Sequence, residues 1–258
     1  MKNSMPLYAM VLSLIIGTLC AENAFGKRIE TVKSTAPDKA RDAKDLWVAS
    51  QMTDEGTPYT VCVNPTAFKF VKGHLVVIAK QPDWKVTLLN QRARTFATVP
   101  LEEFKGLASI SKFNVKKLEP IATKPAEQKI AEQPVTVSEG DCQFSESAIK
   151  SLGFAPEKVK LLSTNKVPAP DGALKVLGRI LGVESLEGIP LAVKVTKKDG
   201  EVIDCLRTQW CLTREPDAQG FEIPKAFSPG KSFNDVETQT NVVSGRSMVR
   251  KHLVREKN

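Results

Sequence analysis

The chain has 258 residues, 41% hydrophobic and 26% charged, which excludes a low-complexity or disordered polypeptide and leaves room for one large domain or two small ones. Lys and Arg number 37 against 29 Asp and Glu, a net charge of +8 that suits a basic soluble surface or contact with anionic lipid heads. Aromatics are only 6%, and no cluster of Arg and Lys interleaved with stacking rings occurs outside the C-terminal tail, so nucleic acid is not an expected partner.

Residues 1–26 read as a secretory signal peptide. Lys2 supplies the positive start, Leu7 to Cys20 the apolar run, and Ala24-Phe25-Gly26 a small-residue cleavage site before Lys27. The run is too short, and too closely followed by charge, for a membrane span; a retained anchor helix is the alternative. Leu19 before Cys20, and Gly17 before that, do not fit a lipid-acylation signal. The expected location is therefore periplasmic or secreted, in a bacterial envelope. Residues 27–44 are polar, charged and broken by Pro37, a flexible lead-in.

From Asp45 the apolar pattern changes to period two. It predicts strands at Leu46–Val48, Tyr59–Val63, Ala67–Val71, His74–Ala79, Trp84–Leu89 and Thr95–Thr98, with turns at Asp54-Glu55-Gly56, Asn64-Pro65 and Gln81-Pro82-Asp83. Pro100–Ala108 reads as a short helix with Pro in the first turn. Ile121–Gln133 is ambiguous. Strands are expected at Cys142–Ile149 and Val159–Ser163. Ala173, Leu174, Leu177, Ile180 and Leu181 recur at helical spacing, and Gly182 ends that helix. Ile189–Thr196 and Glu201–Leu212 form a hairpin about Lys198-Asp199-Gly200, and Gly220–Ile223 is a last strand. Residues 45–240 are thus expected to form a single α+β domain: a curved antiparallel β-sheet, an open half-barrel, with helices covering its concave face. Residues 241–258 form a basic tail in which Arg246, Arg250, Lys251 and Arg255 flank a narrow apolar strip. A frayed terminus is the default there, and adhesion to a membrane surface the alternative.

Cys20 leaves with the signal. Cys62, Cys142, Cys205 and Cys211 allow two disulfides in any of three pairings, or remain buried thiols. Cys205 and Cys211 in one continuous strand would be about 20 Å apart, too far to bond to each other.

Two stretches carry a resemblance. In VIAKQPDWKVTLLNQRARTFATVPLEEFKG, a Trp-bearing strand at Trp84–Leu89, a turn at Asn90, a basic strand at Arg92–Thr98 and an acidic segment at Leu101–Gly106 follow in order. In GIPLAVKVTKKDGEVIDCLRT, with FEIPKAF after it, Gly188, Pro190, Leu191, Thr208, Phe221 and Pro224 stand at matching places. Both stretches resemble extracytoplasmic proteins of the outer-membrane lipoprotein-carrier superfamily. The resemblance spans about half of the chain after the signal. It implies a half-barrel bent around an apolar cavity that helices lid, used in that group for acyl chains. Two features depart from the group: aromatics are sparse, and no residue maps onto the carrier's lid-locking polar contact. The fold can carry over without lipoprotein carriage.

No catalytic motif is present: no G-x-S-x-G, phosphate loop, dinucleotide fingerprint or H-E-x-x-H. The two histidines, His74 and His252, have no Cys or His at ligand spacing, so no catalytic residue, metal or cofactor is expected. A hydrolase would need one of them beside a nucleophile. Trp84, Val86 and Leu88 share one strand face, and Leu174, Leu177 and Leu181 share one helix face. These six are either ordinary core or the lining and lid of a ligand cavity. The resulting expectation is a non-enzymatic binding protein with a lipid or acyl-chain ligand. The alternative is an envelope interaction or structural module of the same fold with no ligand.

Overall fold

Short runs of β-branched and aromatic residues, punctuated by Gly, Asn and Asp, favour pleated hairpins over helices. The structure, a computed structural model, describes residues 45–239 apart from 109–112, 116, 122–127, 142, 145–148, 150–152, 155 and 216–219. The signal segment, the lead-in, the basic tail with His252, and Cys142 lie outside the described residues.

The first six strands are β1 (Leu46–Thr53), β2 (Pro58–Asn64), β3 (Ala67–Lys72), β4 (Leu75–Lys80), β5 (Lys85–Asn90) and β6 (Thr95–Val99). Each pairs antiparallel with the next, the meander that the alternation predicts. The helix expected at Pro100–Ala108 is only a 3-10 turn, Leu101–Glu103. The backbone leaves the helical region at Phe104, extended at φ -73 and ψ 111, and at Gly106, with φ +92, so the turn cannot propagate, and Phe104 and Leu107 are buried from an irregular segment.

Short strands follow: β7 (Phe113–Asn114), β8 (Glu119–Ile121), β9 (Lys129–Ile130), β10 (Gln133–Pro134), β11 (Thr136–Asp141) and β12 (Gln143–Phe144). Within the expected strand Cys142–Ile149, Gln143–Phe144 form β12 and Ile149 is helical, while 142 and 145–148 lie outside the described residues. The real six-residue strand is β11, just before it. Then come β13 (Lys158–Thr164), helix α1 (Asp171–Leu181), β14 (Ile189–Thr196), β15 (Val202–Arg214), β16 (Ser228–Pro229) and α2 (Phe233–Thr238). The strand expected at Gly220–Ile223 is an irregular turn, whose Phe221 side chain is buried on the sheet.

Twelve strands form one sheet in the order β16-β6-β5-β4-β3-β2-β1-β15-β14-β13-β11-β8. The order ends at two different strands, so the curved sheet is open and not a closed barrel. Pairing is antiparallel except β16 along β6. The first strand lies mid-sheet: β1 joins the N-terminal meander to β15, which leads on through β14, β13 and β11 to β8. Bulges interrupt the register at Ser50/Gln51, Leu162/Ser163 and Val193/Lys194, and each bends its strand. Pro190, which cannot donate to a ladder, sits at one of them. Gln51 crosses the same region: its side-chain nitrogen donates to the Pro190 carbonyl at 2.7 Å and to Thr208 Oγ1 at 3.1 Å.

Both faces of the meander are buried. One face joins Trp47, Phe68, Val86 and their row neighbours to α1 in the main core. The other holds Leu46, Val48, Cys62, Val76, Ile78 and Leu89 beneath Phe221 and Phe227. The chain reaches that second face from β15: Lys69 Nζ donates to the Gly220 carbonyl at 2.8 Å, and Lys80 pairs with Glu222. It then lines the edge of β6 as β16, which removes an open strand edge, and turns into α2. Ser232 Oγ caps α2 by accepting from the Asp235 N–H at 3.1 Å. Asn90, fully buried, clasps this strap. Its amide donates to the Val236 and Gln239 carbonyls at 2.9 Å each, and its oxygen accepts from the Arg92 and Ala93 N–H groups at 3.1 and 2.9 Å.

Candidate functional site

Antiparallel register places cross-strand neighbours on the same face. One row runs Thr213, Trp47, Val63, Phe68, Ala79, Val86, Val99 from β15 to β6. The next row on that face runs Cys211, Ala49, Val61, Phe70, Val77, Leu88, Ala97. Val86 and Leu88 are therefore adjacent members of a continuous apolar floor.

Helix α1 lies on this floor over β3. Its apolar stripe buries Ala173, Val176, Leu177, Ile180 and Leu181, while Asp171 and Arg179 sit at the ends where the helix dipole favours them. Gly182, at φ +72, ends the helix, and the Val183 N–H returns to the Gly178 carbonyl at 2.8 Å. The C-terminal end is tied down by hydrogen bonds. Val115 N–H donates to the Gly182 carbonyl at 2.8 Å, Glu184 N–H to the Val115 carbonyl at 3.1 Å, and Arg179 Nη1 to the Phe104 carbonyl at 3.0 Å. At the other end Gly172 meets the Trp84 ring, so close that a Cβ on Gly172 would lie 2.2 Å from Trp84 Cδ2. Among the described residues, no hydrogen bond ties that end of α1 to the sheet.

The six residues singled out in the sequence meet in this layer. Val86, Leu88, Leu177 and Leu181 are buried members of the main core, and Trp84 and Leu174 pack against it half-buried. Trp84 itself precedes β5 in the connecting turn, at φ +49. Its position over the floor thus comes from the turn and from Gly172, and not from strand alternation. Val86 and Leu88 are 0% exposed, so a guest in this layer enters only if α1 moves away from the floor. Trp47, Gln51, Asn90 and the strap after Gly220 are not among those six. Trp47 has a legible signal: it alternates with Ala49 in the same period-two run.

Electrostatics set the chemistry aside from the floor. Tyr59, in the row beyond Ala49, has its phenol pushed up to about 12 by burial first, and then by Glu55 and Asp54. Burial raises the Cys62 thiol, against the pull of Lys69 and Arg214, so it is a poor nucleophile on the opposite face. His74 titrates below its usual value because of burial and then Arg92. Among the described residues no group of three His, Cys, Asp or Glu is placed to hold a metal ion. On the strap face, Trp210 and Leu212 of β15 are exposed at 38% each, with exposed Arg207 and Arg214 on the same strand. No helix among the described residues is long and apolar enough to cross a membrane.

No family profile matches the chain, and no curated protein matches it in sequence. Solved structures align at low identity. An uncharacterized conserved protein from Thermus thermophilus is 10% identical with a TM-score of 0.37, over 72% of this chain and 90% of that one. MucB is 10% identical with a TM-score of 0.32, over 72% of this chain and 60% of MucB. A domain described as an outer membrane lipoprotein-sorting protein, from Vibrio parahaemolyticus, is 9% identical with a TM-score of 0.28, over 76% and 90%. Likeness at this level assigns neither a family nor a function.

Proposed function

We propose that this chain is an exported, non-enzymatic binding protein that takes a lipid or other apolar ligand between α1 and the floor of its sheet. The observation that carries this reading is the uneven anchoring of α1: hydrogen bonds at Gly182, Val115 and Arg179 at one end, and at the other, among the described residues, apolar packing of Gly172 on Trp84 and of Ala173 and Val176 in the core, with no hydrogen bond to the sheet. A helix held in this way swings about its fixed end. What it uncovers is a broad surface of Val, Leu and Phe, which a hydrocarbon chain covers in place of the helix. Helices would then cover the concave face as a movable lid. The export signal and the carrier-like stretches are consistent with a ligand met outside the cytoplasm. The test is native mass spectrometry of residues 27–258 purified from the envelope, with organic extraction. A stoichiometric lipid supports the reading, and a bare mass that also fails to take up fluorescent fatty acid removes it.

A second reading has its own observation. Trp210 and Leu212 present an exposed apolar pair beside Arg207 and Arg214, and Trp and Arg are enriched at protein contacts. An envelope interaction module with a filled core would use that face instead.

A further inference from the structure

Buried polar groups in folded proteins have hydrogen-bond partners, and one without a partner demands an explanation. The buried Gln, Asn and Thr side chains among the described residues follow the rule. Gln51 is bonded to Pro190 and Thr208, Asn90 to the strap, Thr87 Oγ1 to Thr98 Oγ1 at 2.8 Å, and Thr164 Oγ1 accepts from the Lys166 N–H at 3.3 Å. Trp47 departs from it. Trp47 is 3% exposed, and among the described residues its Nε1 has no acceptor. An N–H donor sealed in this way costs about 1–3 kcal/mol relative to one that is paired. Phenylalanine would fill much of the same space without that cost.

The orphan sits on the floor described above. Trp47 shares its cross-strand row with Phe68 and Val86, and α1 lies over β3, two strand spacings or roughly 10 Å away. From Trp47 to Val86 the row crosses four spacings, roughly 19 Å, comparable with an extended long acyl chain. We infer that the Trp47 indole N–H is the polar anchor of the ligand layer, donating to a carboxyl or ester oxygen at the head of an acyl chain whose tail lies toward Val86 and Trp84. This rests on the ligand-binding reading. It adds that the ligand is an oxygen-headed acyl lipid and not a bare hydrocarbon, and it gives the direction in which the lipid lies.

The chain holds three tryptophans, Trp47, Trp84 and Trp210, so a ¹⁵N-tryptophan-labelled sample gives three indole N–H signals, assignable from single Trp→Phe variants. Palmitate and hexadecane are the probes, equal in chain length but differing in the acceptor. The expected result is a downfield shift of the Trp47 proton with palmitate and little with hexadecane. Trp47→Phe then weakens palmitate binding about tenfold more than it weakens hexadecane uptake, and does not lower the stability of the ligand-free protein. Palmitate uptake with the Trp47 signal unmoved, and with unchanged affinity in Trp47→Phe, overturns the anchor while leaving the ligand site standing. No uptake of either probe overturns the ligand-binding reading and the anchor with it.

Discussion

Trp84 and Gly172 are packed so tightly that the space for one methyl group between them is already filled: a Cβ at Gly172 would come within 2.2–2.4 Å of three Trp84 ring atoms. This contact joins the turn after β4 to the first turn of α1. It also explains why a glycine stands in a helix whose apolar stripe is otherwise built from larger residues.

Gly172→Ala therefore has two opposed effects. Alanine favours the helix by about 0.5–1 kcal/mol, but the clash with a rigid indole costs about 1–3 kcal/mol, so net destabilisation is expected. The same variant takes up fluorescent fatty acid faster than the wild type, because it strains the free end of the lid. Adding Trp84→Leu restores stability if the two residues are coupled as described, which urea denaturation of the four-protein cycle measures.

Asn90→Ala removes a side chain that satisfies two carbonyls of the strap and two N–H groups of its own turn. A loss of about 2–3 kcal/mol is expected, with earlier proteolysis of residues 220–239. Asn90→Asp does not rescue it, since a carboxylate cannot donate to the Val236 and Gln239 carbonyls.

Tyr59 gives a pH test. A chain starting at Lys27 has lost Tyr8, so Tyr59 is its one tyrosine. Its folded pKa is raised to about 12 from 10.0 by burial, then by Glu55 and Asp54. The stability linked to its proton is thus full below pH 10 and is lost as pH rises through the folded value. Absorbance at 295 nm should show ionisation about two units late and concurrent with unfolding. Free, reversible ionisation near pH 10 would contradict the burial of this ring.

Trp210→Ser separates the two readings. The residue is 38% exposed, so stability should change by no more than about 0.5 kcal/mol. Fatty-acid uptake should be unaltered if the ligand lies under α1. A loss of co-purifying protein partners without any change in uptake would favour the interaction module.

Much of this architecture is legible because its signals are local. Period-two alternation marks β1 to β6, and Lys198-Asp199-Gly200 marks the hairpin of β14 and β15, with Gly200 at φ +87. The stripe from Ala173 to Leu181 marks α1, with its end at Gly182. The failures are long-range. Leu101–Gly106 has helix-forming composition, but its backbone turns extended at Phe104 and left-handed at Gly106, and Phe104 and Leu107 are both buried in the main core. β11, with Ser138, Glu139 and Gly140, has weak strand propensity and gains its place from pairing with β13 and β8. β16 exists only because β6 offers an edge, whereas α2 has a readable start in Ser232-x-x-Asp235. The six candidate site residues come from face periodicity, which brings side chains together but does not distinguish a core from a pocket. Alternation places Trp47 on the floor, but its unpaired N–H among the described residues is a property of the packing that periodicity does not carry.

The most direct test of a ligand layer beneath α1 is photo-crosslinking with a diazirine-bearing fatty acid, followed by peptide mapping. Label on Leu174 or Leu177 of α1 together with Val86 or Leu88 of β5 is the predicted result. Label confined to the Trp210–Leu212 face, or none at saturating probe, would contradict it.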